Sequence, residues 1–480
     1  MQLNDLSQSS NRLNPEITGL TADSRSVQSG YLFAALPGTK VDGTDFLQAA
    51  IKRGASAVLV PSSFENVGEV PDQIAILRSD NVKKTFAELT ARFFGDQPKH
   101  LAAVTGTNGK TSVAWFTQHL WHQLGHKSAS FGTLGAIPKD ITQENIALTT
   151  PDTITLHKAI RDAKEQQVSH LVFEASSHGL EQHRLDGLAI SSAAFTNFSR
   201  DHIDYHGTME AYFEAKARLF SEVLPKTCTA VLNADVPEFP RLQQLVGHSM
   251  SYGCKSKDIQ LTKQRPTLAG QELSLNLFDR KLDIVIPLIG SFQAMNVLCS
   301  MGLMIAEGED VDNVIPLLPG LTGVPGRLEQ TATDASGQKS VVVDYAHTPD
   351  ALENAIKSLR PHCDNRLIVV FGCGGDRDRG KRPEMGTIAE QLSDIAIIAD
   401  DNPRSEDPGA IRAEIKAKAP SAMEISDREA AIFEALSLAK AGDIVLVAGK
   451  GHETGQTVGE NIIPFDDKEV TQRAAQDLWN

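Results

Sequence analysis

The sequence predicts an α/β protein of three domains, and three observations carry that expectation. Short apolar runs of strand length alternate with helical stretches over most of the chain, as they do in largely parallel sheets. At 480 residues the chain has room for roughly three domains of ordinary size. Two stretches where Gly and Pro crowd together, "FFGDQPKH" and "PGLTGVPGRLEQ", divide the alternation into parts. The expected domains are residues 1–97, 98–325 and 326–480.

The first part holds the apolar runs "GYLFAAL", "SAVLV" and "IAILR" between helical segments such as "DFLQAAIKRGA", which predicts a small mixed α/β unit. In the second, "HLAAVTG" reads as a buried strand that turns through glycines into the helix "KTSVAWFTQHLWHQLG". The runs "HLVFEASSH", "SSAAFTNF" and "TAVLNAD" continue the alternation and predict a mostly parallel sheet. Residues 250 to 287 are more β-like and irregular, and a helix begins near "GSFQAMNVLCSMGLMIAEG". Past residue 325 the order restarts with "SVVVDYAH", "DALENAIKSL", "RLIVVFG", "EMGTIAEQL", "DIAIIAD" and "DIVLVAGKGHE". That order predicts a second, Rossmann-like doubly wound sheet.

Composition excludes several classes of function. A net charge of −15 gives no electrostatic case for a nucleic-acid partner or an anionic membrane. No run approaches 18 apolar residues, so no membrane span is expected. The first residues carry neither a basic start nor an apolar run, so no signal peptide is expected. The five cysteines, at 228, 254, 299, 363 and 373, show no C-x-x-C spacing, which argues against zinc or disulfide frameworks and for a reducing cytoplasm.

Four stretches carry chemistry. "AVTGTNGKTSVAW" joins a strand to a helix through Gly-Lys-Thr, although the full P-loop pattern wants a glycine at 104, where Val stands. Gly106 and Gly109 free the backbone for amides to face a phosphate, and the helix N-terminus adds partial positive charge. Lys110 can reach the terminal phosphates and the Thr111 hydroxyl can ligate Mg²⁺. In "FEASSHGLEQHRLDG", Glu174 ends an apolar strand, where a carboxylate must be paired, metal-bound or at the wet sheet edge. "FTNFSRDHIDYHGTMEAYFEAKARLF" supplies His202 and Lys216, with His178, His183 and His206 near enough that spacing alone does not choose among the histidines. In "DDNPRSEDP", Arg404 stands where a strand hands over to a loop, although a turn of Asn, Pro and Asp needs no arginine.

"TGTNGKTS" resembles the ATP loop of the Mur ligases and their folylpolyglutamate synthetase relatives, and the order of motifs resembles the Mur ligases along nearly the whole chain. The resemblance implies an ATP site at Thr105, Gly106, Thr107, Asn108, Gly109, Lys110 and Thr111, completed by Asn296, Arg327 and Asp344. It selects His202 among the histidines: Thr111, Glu174, His202 and a carbamate on Lys216 are the implied Mg²⁺ ligands, and Lys110, Glu174, His202 and carbamylated Lys216 the catalytic set. "TADSRSVQSGYLFAALPGTKVDG" is similar to the domain that grips a uridine nucleotide, with Asp23, Ser24 and Arg25 at the matching positions. Thr149, Thr150, Ser176, Gln182 and Arg184 are implied to hold UDP-MurNAc-L-Ala-D-Glu. Where the family shows Asn after "GxF", Gln293 stands, while Asn296 still matches.

Arg404 then acquires a use. In members that add meso-diaminopimelate, "DNPR" binds that amino acid and its arginine pairs with the distal carboxylate, so Asp401, Asn402, Pro403 and Arg404 are implied to do so here. Arg382, Gly449 and Glu453 are implied for the same substrate. A planar guanidinium holds a carboxylate with two parallel bonds and is repelled by an ammonium, so diaminopimelate is expected over lysine. The expected reaction is ATP-dependent amide formation by a cytoplasmic monomer through an acyl phosphate. A nucleotide-hydrolysing switch would leave Arg404, Arg382 and Glu453 without a role.

Overall fold

The computed structural model describes residues 1–38, 41–65 and 70–479. Thr39 and Lys40, within the stretch likened to the uridine-binding domain, lie outside the described residues, as do 66–69 and Asn480. The chain divides into two compact units, residues 1–252 with 299–311, and residues 253–298 with 312–480. The fold is α/β with three domains, each on its own sheet.

The first sheet contains β1 (Gly19–Thr21), β2 (Tyr31–Ala34), β3 (Ala57–Pro61) and β4 (Ala75–Ser79), all parallel and in that order. Alternation of side chains assigns Leu32, Ala34, Ala57 and Leu59 to one buried cluster and Phe33, Ala35, Val58 and Val60 to another. A sheet covered on both faces needs continuous apolar runs, and "YLFA" and "AVLV" are such runs.

The second sheet belongs to the same unit. Its strands are β5 (His100–Thr105), β6 (Ser128–Gly132), β7 (Gly135–Ile137), β8 (His170–Glu174), β9 (Ser192–Phe195), β10 (Thr229–Asn233) and β11 (His248–Gly253). Their order is β11-β10-β9-β5-β8-β6-β7, and only the β6–β7 pairing is antiparallel. Chain order reverses at β5, which lies between β8 and β9; such a reversal opens a crevice at the strand C-termini. "TGTNGKTS" begins at that end of β5.

In the second unit, β12 (Ile259–Thr267), β13 (Gly270–Leu277) and β14 (Arg280–Ile286) form an antiparallel meander. The third sheet contains β15 (Glu329–Thr333), β16 (Ser340–Asp344), β17 (Leu367–Phe371), β18 (Ile395–Ile398), β19 (Met423–Glu424) and β20 (Ile444–Ala448). Its order is β15-β16-β20-β17-β18-β19, parallel except for β15. Val342, Val369, Ile398 and Leu446 face one core, while Val341, Ile368, Ile397 and Val445 face the other. Each such side chain contributes about 1.5–3 kcal/mol by leaving water. A hairpin, β21 (Gly455–Val458) with β22 (Asn461–Pro464), follows β20.

All five cysteines are free thiols. No helix among the described residues is long and apolar enough to cross a membrane.

Candidate active site

The loop after β5 is built around its own lysine. Gly109, at φ 86°, occupies the N-cap of the helix Lys110–Gln123, and the left-handed conformation explains the glycine there. Lys110 Nζ donates to the carbonyls of Gly106 (2.9 Å) and Thr107 (2.8 Å). A Cβ on Gly106 would stand 1.9 Å from Thr196 Oγ1, so the loop and the end of β9 approach more closely than any side chain allows. The amides of Thr107 and Asn108 are spent on Asn197, through its carbonyl and its Oδ1, both at 2.9 Å. Those of Gly106 and Gly109 have no protein acceptor among the described residues, and remain available to an anion.

Glu174 ends β8 beside this loop. Its Oε2 accepts from Thr111 Oγ1 (3.0 Å), and its Oε1 from the Thr133 amide (2.7 Å). Burial raises its pKa, against the lowering effects of Thr133, Lys110 and Thr111. Gly132 makes the arrangement possible, because a Cβ there would lie 2.1 Å from Glu174 Oε1.

Around the Glu174 backbone gather the residues likened to the dipeptide site. Thr150 Oγ1 donates to the Glu174 carbonyl (2.7 Å) and accepts from the Ser176 amide (2.8 Å). Arg184 donates to the Thr150 carbonyl (2.6 Å) and to Gln182 Oε1 (2.7 Å). Thr149 and Thr133 hydroxyls meet at 3.1 Å. Ser176 caps the short helix Ser177–Glu181. Ser24 stands apart from this group, buried in a short 3₁₀ turn whose exposed ion pair joins Asp23 and Arg25 at 2.8 Å.

Lys216 is almost wholly buried, at 1% exposure, on the helix Met209–Arg218. Its Nζ donates to the Gly106 carbonyl at 2.7 Å and lies 4.6 Å from the centre of the Tyr212 ring. Burial first, and then the nearby Lys110 charge, push its pKa down to about 6. Tyr212 OH in turn meets Thr107 Oγ1 at 3.2 Å. His202 lies outside the Glu174 bonding set. Its ring packs edge-on against His178 with centroids 4.9 Å apart, and its Nε2 is 3.5 Å from Asp201.

The second unit gathers its expected residues at the C-terminal ends of β16, β17, β18 and β20. Asp344 accepts from the amides of Leu328 (2.7 Å) and Ala346 (2.9 Å), and burial raises its pKa to about 6. Arg327 is exposed on the adjoining turn. Asn296, in the same unit, donates to Gln293 Oε1 at 2.9 Å.

Asn402 is the joint of the third-sheet site. Its Nδ2 donates to Glu453 Oε2 (2.9 Å), while its Oδ1 accepts from the Thr457 amide (2.9 Å) and from Lys450 Nζ (3.2 Å). Pro403 packs on the loop after β17, where a Cβ on Gly375 would lie 1.9 Å from the Pro403 carbonyl. A Cβ on Gly449, at φ 126°, would meet Asp401 Oδ2 at 2.6 Å. Arg404 adopts φ 51°, its amide donates to Thr457 O (3.0 Å), and its guanidinium reaches the Gly375 carbonyl (2.8 Å).

Arg382 is placed differently from the expectation of a substrate contact. It has 0% exposure and donates to Glu406 at 2.8 and 3.0 Å and to Glu414 at 2.8 Å. Arg379 also pairs with Glu414. Of the three arginines in "DRDRGKR", Arg377 is exposed and has no carboxylate partner among the described residues. Sequence reasoning passed over Arg377, Gly132 and Lys450. The glycine at the end of the short strand "SASFG", and the lysine between two glycines in "GKG", were the available signals.

A phosphate loop at a sheet reversal, a buried carboxylate beside it and a second doubly wound sheet define a nucleotide-dependent α/β enzyme. The chain belongs to the Mur ligase family. Residues 16–94 match the model described as Mur ligase family, catalytic domain; residues 104–304 match the Mur ligase middle domain; residues 326–451 match the Mur ligase, glutamate ligase domain. The chain is similar to UDP-N-acetylmuramoyl-L-alanyl-D-glutamate--2,6-diaminopimelate ligase of Caulobacter vibrioides, 47% identical over 99% of both chains. It is 46% identical to the protein of that name from Zymomonas mobilis, over 95% of this chain and 94% of the relative. A solved structure of a ligase of the same name is 34% identical with a TM-score of 0.79, covering 99% of each chain. The MurF ligase of Thermotoga maritima in complex with ADP, at 19% identity and TM-score 0.56 over 99% of this chain and 98% of that one, shares the fold.

Proposed function

We propose that this chain is an ATP-dependent ligase joining meso-2,6-diaminopimelate to the D-glutamate γ-carboxylate of UDP-N-acetylmuramoyl-L-alanyl-D-glutamate, in cytoplasmic peptidoglycan precursor synthesis. The observation that carries the reading is its full-length likeness, at 47% identity, to a relative bearing that name. On this reading residues 1–97 take the uridine nucleotide through Ser24, residues 98–325 take ATP, and residues 326–480 take the amino acid, in a monomer.

The substrate carboxylate attacks the γ-phosphorus of ATP, ADP leaves and an acyl phosphate forms; the diaminopimelate amine then attacks the acyl carbon and phosphate departs. No protein nucleophile is needed. Thr105 to Thr111 would hold the phosphates, with Lys110 moving from its loop carbonyls to the transferring group. The family resemblance assigns Asn296, Arg327 and Asp344 to the nucleotide as well. Thr149, Thr150, Ser176, Gln182 and Arg184 orient the dipeptide.

The residues fit magnesium. Glu174 is a buried carboxylate 3.0 Å from the Thr111 hydroxyl, and oxygen ligands suit a hard cation. Bound through Thr111, Glu174, His202 and a Lys216 carbamate, Mg²⁺ would neutralise charge on the transferring phosphoryl group. A pKa of about 6 leaves Lys216 mostly uncharged at neutral pH. Its amine then adds to CO₂, an N–C bond forms, and one proton passes to solvent.

Arg404 and Arg377 present guanidinium to the distal carboxylate of diaminopimelate, while Glu453 faces its ammonium. Arg382, spent on Glu406 and Glu414, positions this loop instead. Phosphate release tests the reading: it should require UDP-MurNAc-dipeptide and diaminopimelate together. Hydrolysis of ATP indifferent to both would overturn it.

A further inference from the structure

At the N-terminal ends of the central strands, the edge opposite the phosphate loop, the sheet carries a second cluster of chemistry-bearing side chains. His100 and His170 begin β5 and β8 and are register partners. His126 lies two residues before Ser128, which pairs with His170. Parallel register therefore brings the three imidazoles into a column. His100 and His170 stack at 4.1 Å, and His126 and His170 at 4.0 Å.

Two carboxylates close over the column. Glu307 Oε2 lies 2.9 Å from His100 Nδ1, and its Oε1 accepts from the Ser191 and Ser192 hydroxyls. Gly308, at φ +95°, turns the chain between the two glutamates. Glu309 Oε1 then lies 2.7 Å from His126 Nε2 and 3.7 Å from His170 Nε2.

The hydrogen bonds are compatible with a His170 tautomer protonated on Nδ1. The Ser169 hydroxyl donates to the Lys127 carbonyl (3.3 Å) and lies 2.8 Å from His170 Nδ1. In that tautomer Ser169 accepts from His170 Nδ1–H, and the Nε2 lone pair lies 3.7 Å from Glu309 Oε1. Two electron-rich atoms then face each other beside the buried His170 ring, an arrangement that a cation between them relieves. A histidine that donates its second nitrogen to a neighbour in this way is also the usual posture of a metal ligand.

We propose that His126, His170 and Glu309 form a divalent transition-metal site, suited to Zn²⁺, that pins the turn at 307–309 to the lower edge of the central sheet. Two imidazole nitrogens and one carboxylate oxygen are a zinc donor set with a fourth position for water. The three ligand atoms lie within 4.8 Å of one another. Tetrahedral ligands about 2.0–2.2 Å from an ion stand about 3.3–3.6 Å apart, so the set closes by side-chain rotation that moves Glu309 Oε1 away from His126 Nε2, now 2.7 Å off, and leaves it near its 3.7 Å spacing from His170 Nε2. A set with two imidazole nitrogens and one carboxylate oxygen favours Zn²⁺ over Mg²⁺, whereas the phosphate-loop set of Thr111, Glu174, His202 and a carbamate is mostly oxygen, which separates the two sites.

The test is cobalt and zinc titration of the full chain, stripped with chelator and held in saturating Mg²⁺. Wild type should take up one equivalent of Co²⁺ with a visible absorption band that Zn²⁺ abolishes, and the Glu174→Gln chain should behave the same. His126→Ala and Glu309→Gln should each weaken Zn²⁺ binding by at least about 100-fold, the upper range seen for loss of an outer-shell partner. Glu309→Asp keeps the carboxylate but withdraws it by one methylene; it should bind about 10-fold more weakly. Absence of a cobalt band in wild type would overturn the proposal. So would undiminished binding in any of these three variants, or loss of the band in Glu174→Gln.

Discussion

Replacing Arg404 with alanine separates diaminopimelate from lysine. The arginine backbone is pinned by the hairpin, its amide on Thr457 O at 3.0 Å and its carbonyl accepting from Gly459 at 2.7 Å, so truncating the side chain leaves the loop tied. One guanidinium nitrogen is engaged by the Gly375 carbonyl at 2.8 Å, and the other two have no protein acceptor among the described residues. Those free nitrogens are the edge that a carboxylate would grip. A hydrogen bond to a charged group contributes about 1.5–3 kcal/mol. Arg404 is half-buried, so the low end applies, and two bonds together come to about 3 kcal/mol. At about 1.4 kcal/mol per decade, kcat/KM for diaminopimelate should fall by roughly 150-fold. Lysine has no carboxylate at its chain end, and its kcat/KM should move by less than about 3-fold, upward if anything as repulsion is lifted. Coupled phosphate-release assays with each amino acid, at fixed ATP and UDP-MurNAc-dipeptide, give both values. Equal losses for the two amino acids, or a diaminopimelate loss below about 3-fold, would refute the reasoning.

Other perturbations reach the remaining parts of the site. With ¹³C-bicarbonate, a carbamate signal should be present near pH 7.5, decline as pH falls through about 6 because the amine becomes protonated, and be absent in Lys216→Met; ¹³C NMR reads it. Gly132→Ala puts a methyl 2.1 Å from Glu174 Oε1 and should lower kcat by about 100-fold with circular dichroism unchanged. Arg377→Ala should raise KM for diaminopimelate about 10-fold at unchanged thermal stability, whereas Arg382→Ala, which takes away the guanidinium partner of Glu406 and one of the two that hold Glu414, should lower both activity and melting temperature. Arg428 and Asp467 form an ion pair with 0% exposure on either side; Arg428→Met should cost about 3–5 kcal/mol and the double change to Met and Leu should recover most of it, read by hydrogen exchange in the helix Asp467–Trp479.

Most of the element order was legible because both large sheets are buried on two faces. Such strands must be continuous apolar runs, and "HLAAV", "HLVF", "RLIVVF" and "DIVLVA" admit no other reading between helical stretches. The site was legible at strand ends for a related reason. Parallel strands share one C-terminal edge, so residues at or just past the end of each run, Gly106, Glu174, Asp344, Gly372 and Asp401, are brought to the same edge of their sheet whatever their distance in sequence.

Which side chain turns toward that edge was not legible, because it depends on partners far along the chain. Arg377, Arg379 and Arg382 look alike in "DRDRGKR"; Glu406 and Glu414, on the loop after β18 and the helix beyond it, take two of them and leave the third. The same holds for Lys216. Nothing in "EAKARLF" distinguishes a solvated helix lysine from a buried one, and only the approach of Gly106, 110 residues earlier, buries its amine against a carbonyl. Burial and a neighbouring cation then lower its pKa together, so the uncharged amine that carbamylation requires arises from the fold rather than from the local sequence. A lysine elsewhere on that helix, in water, would remain protonated and inert to CO₂, however well its motif matched.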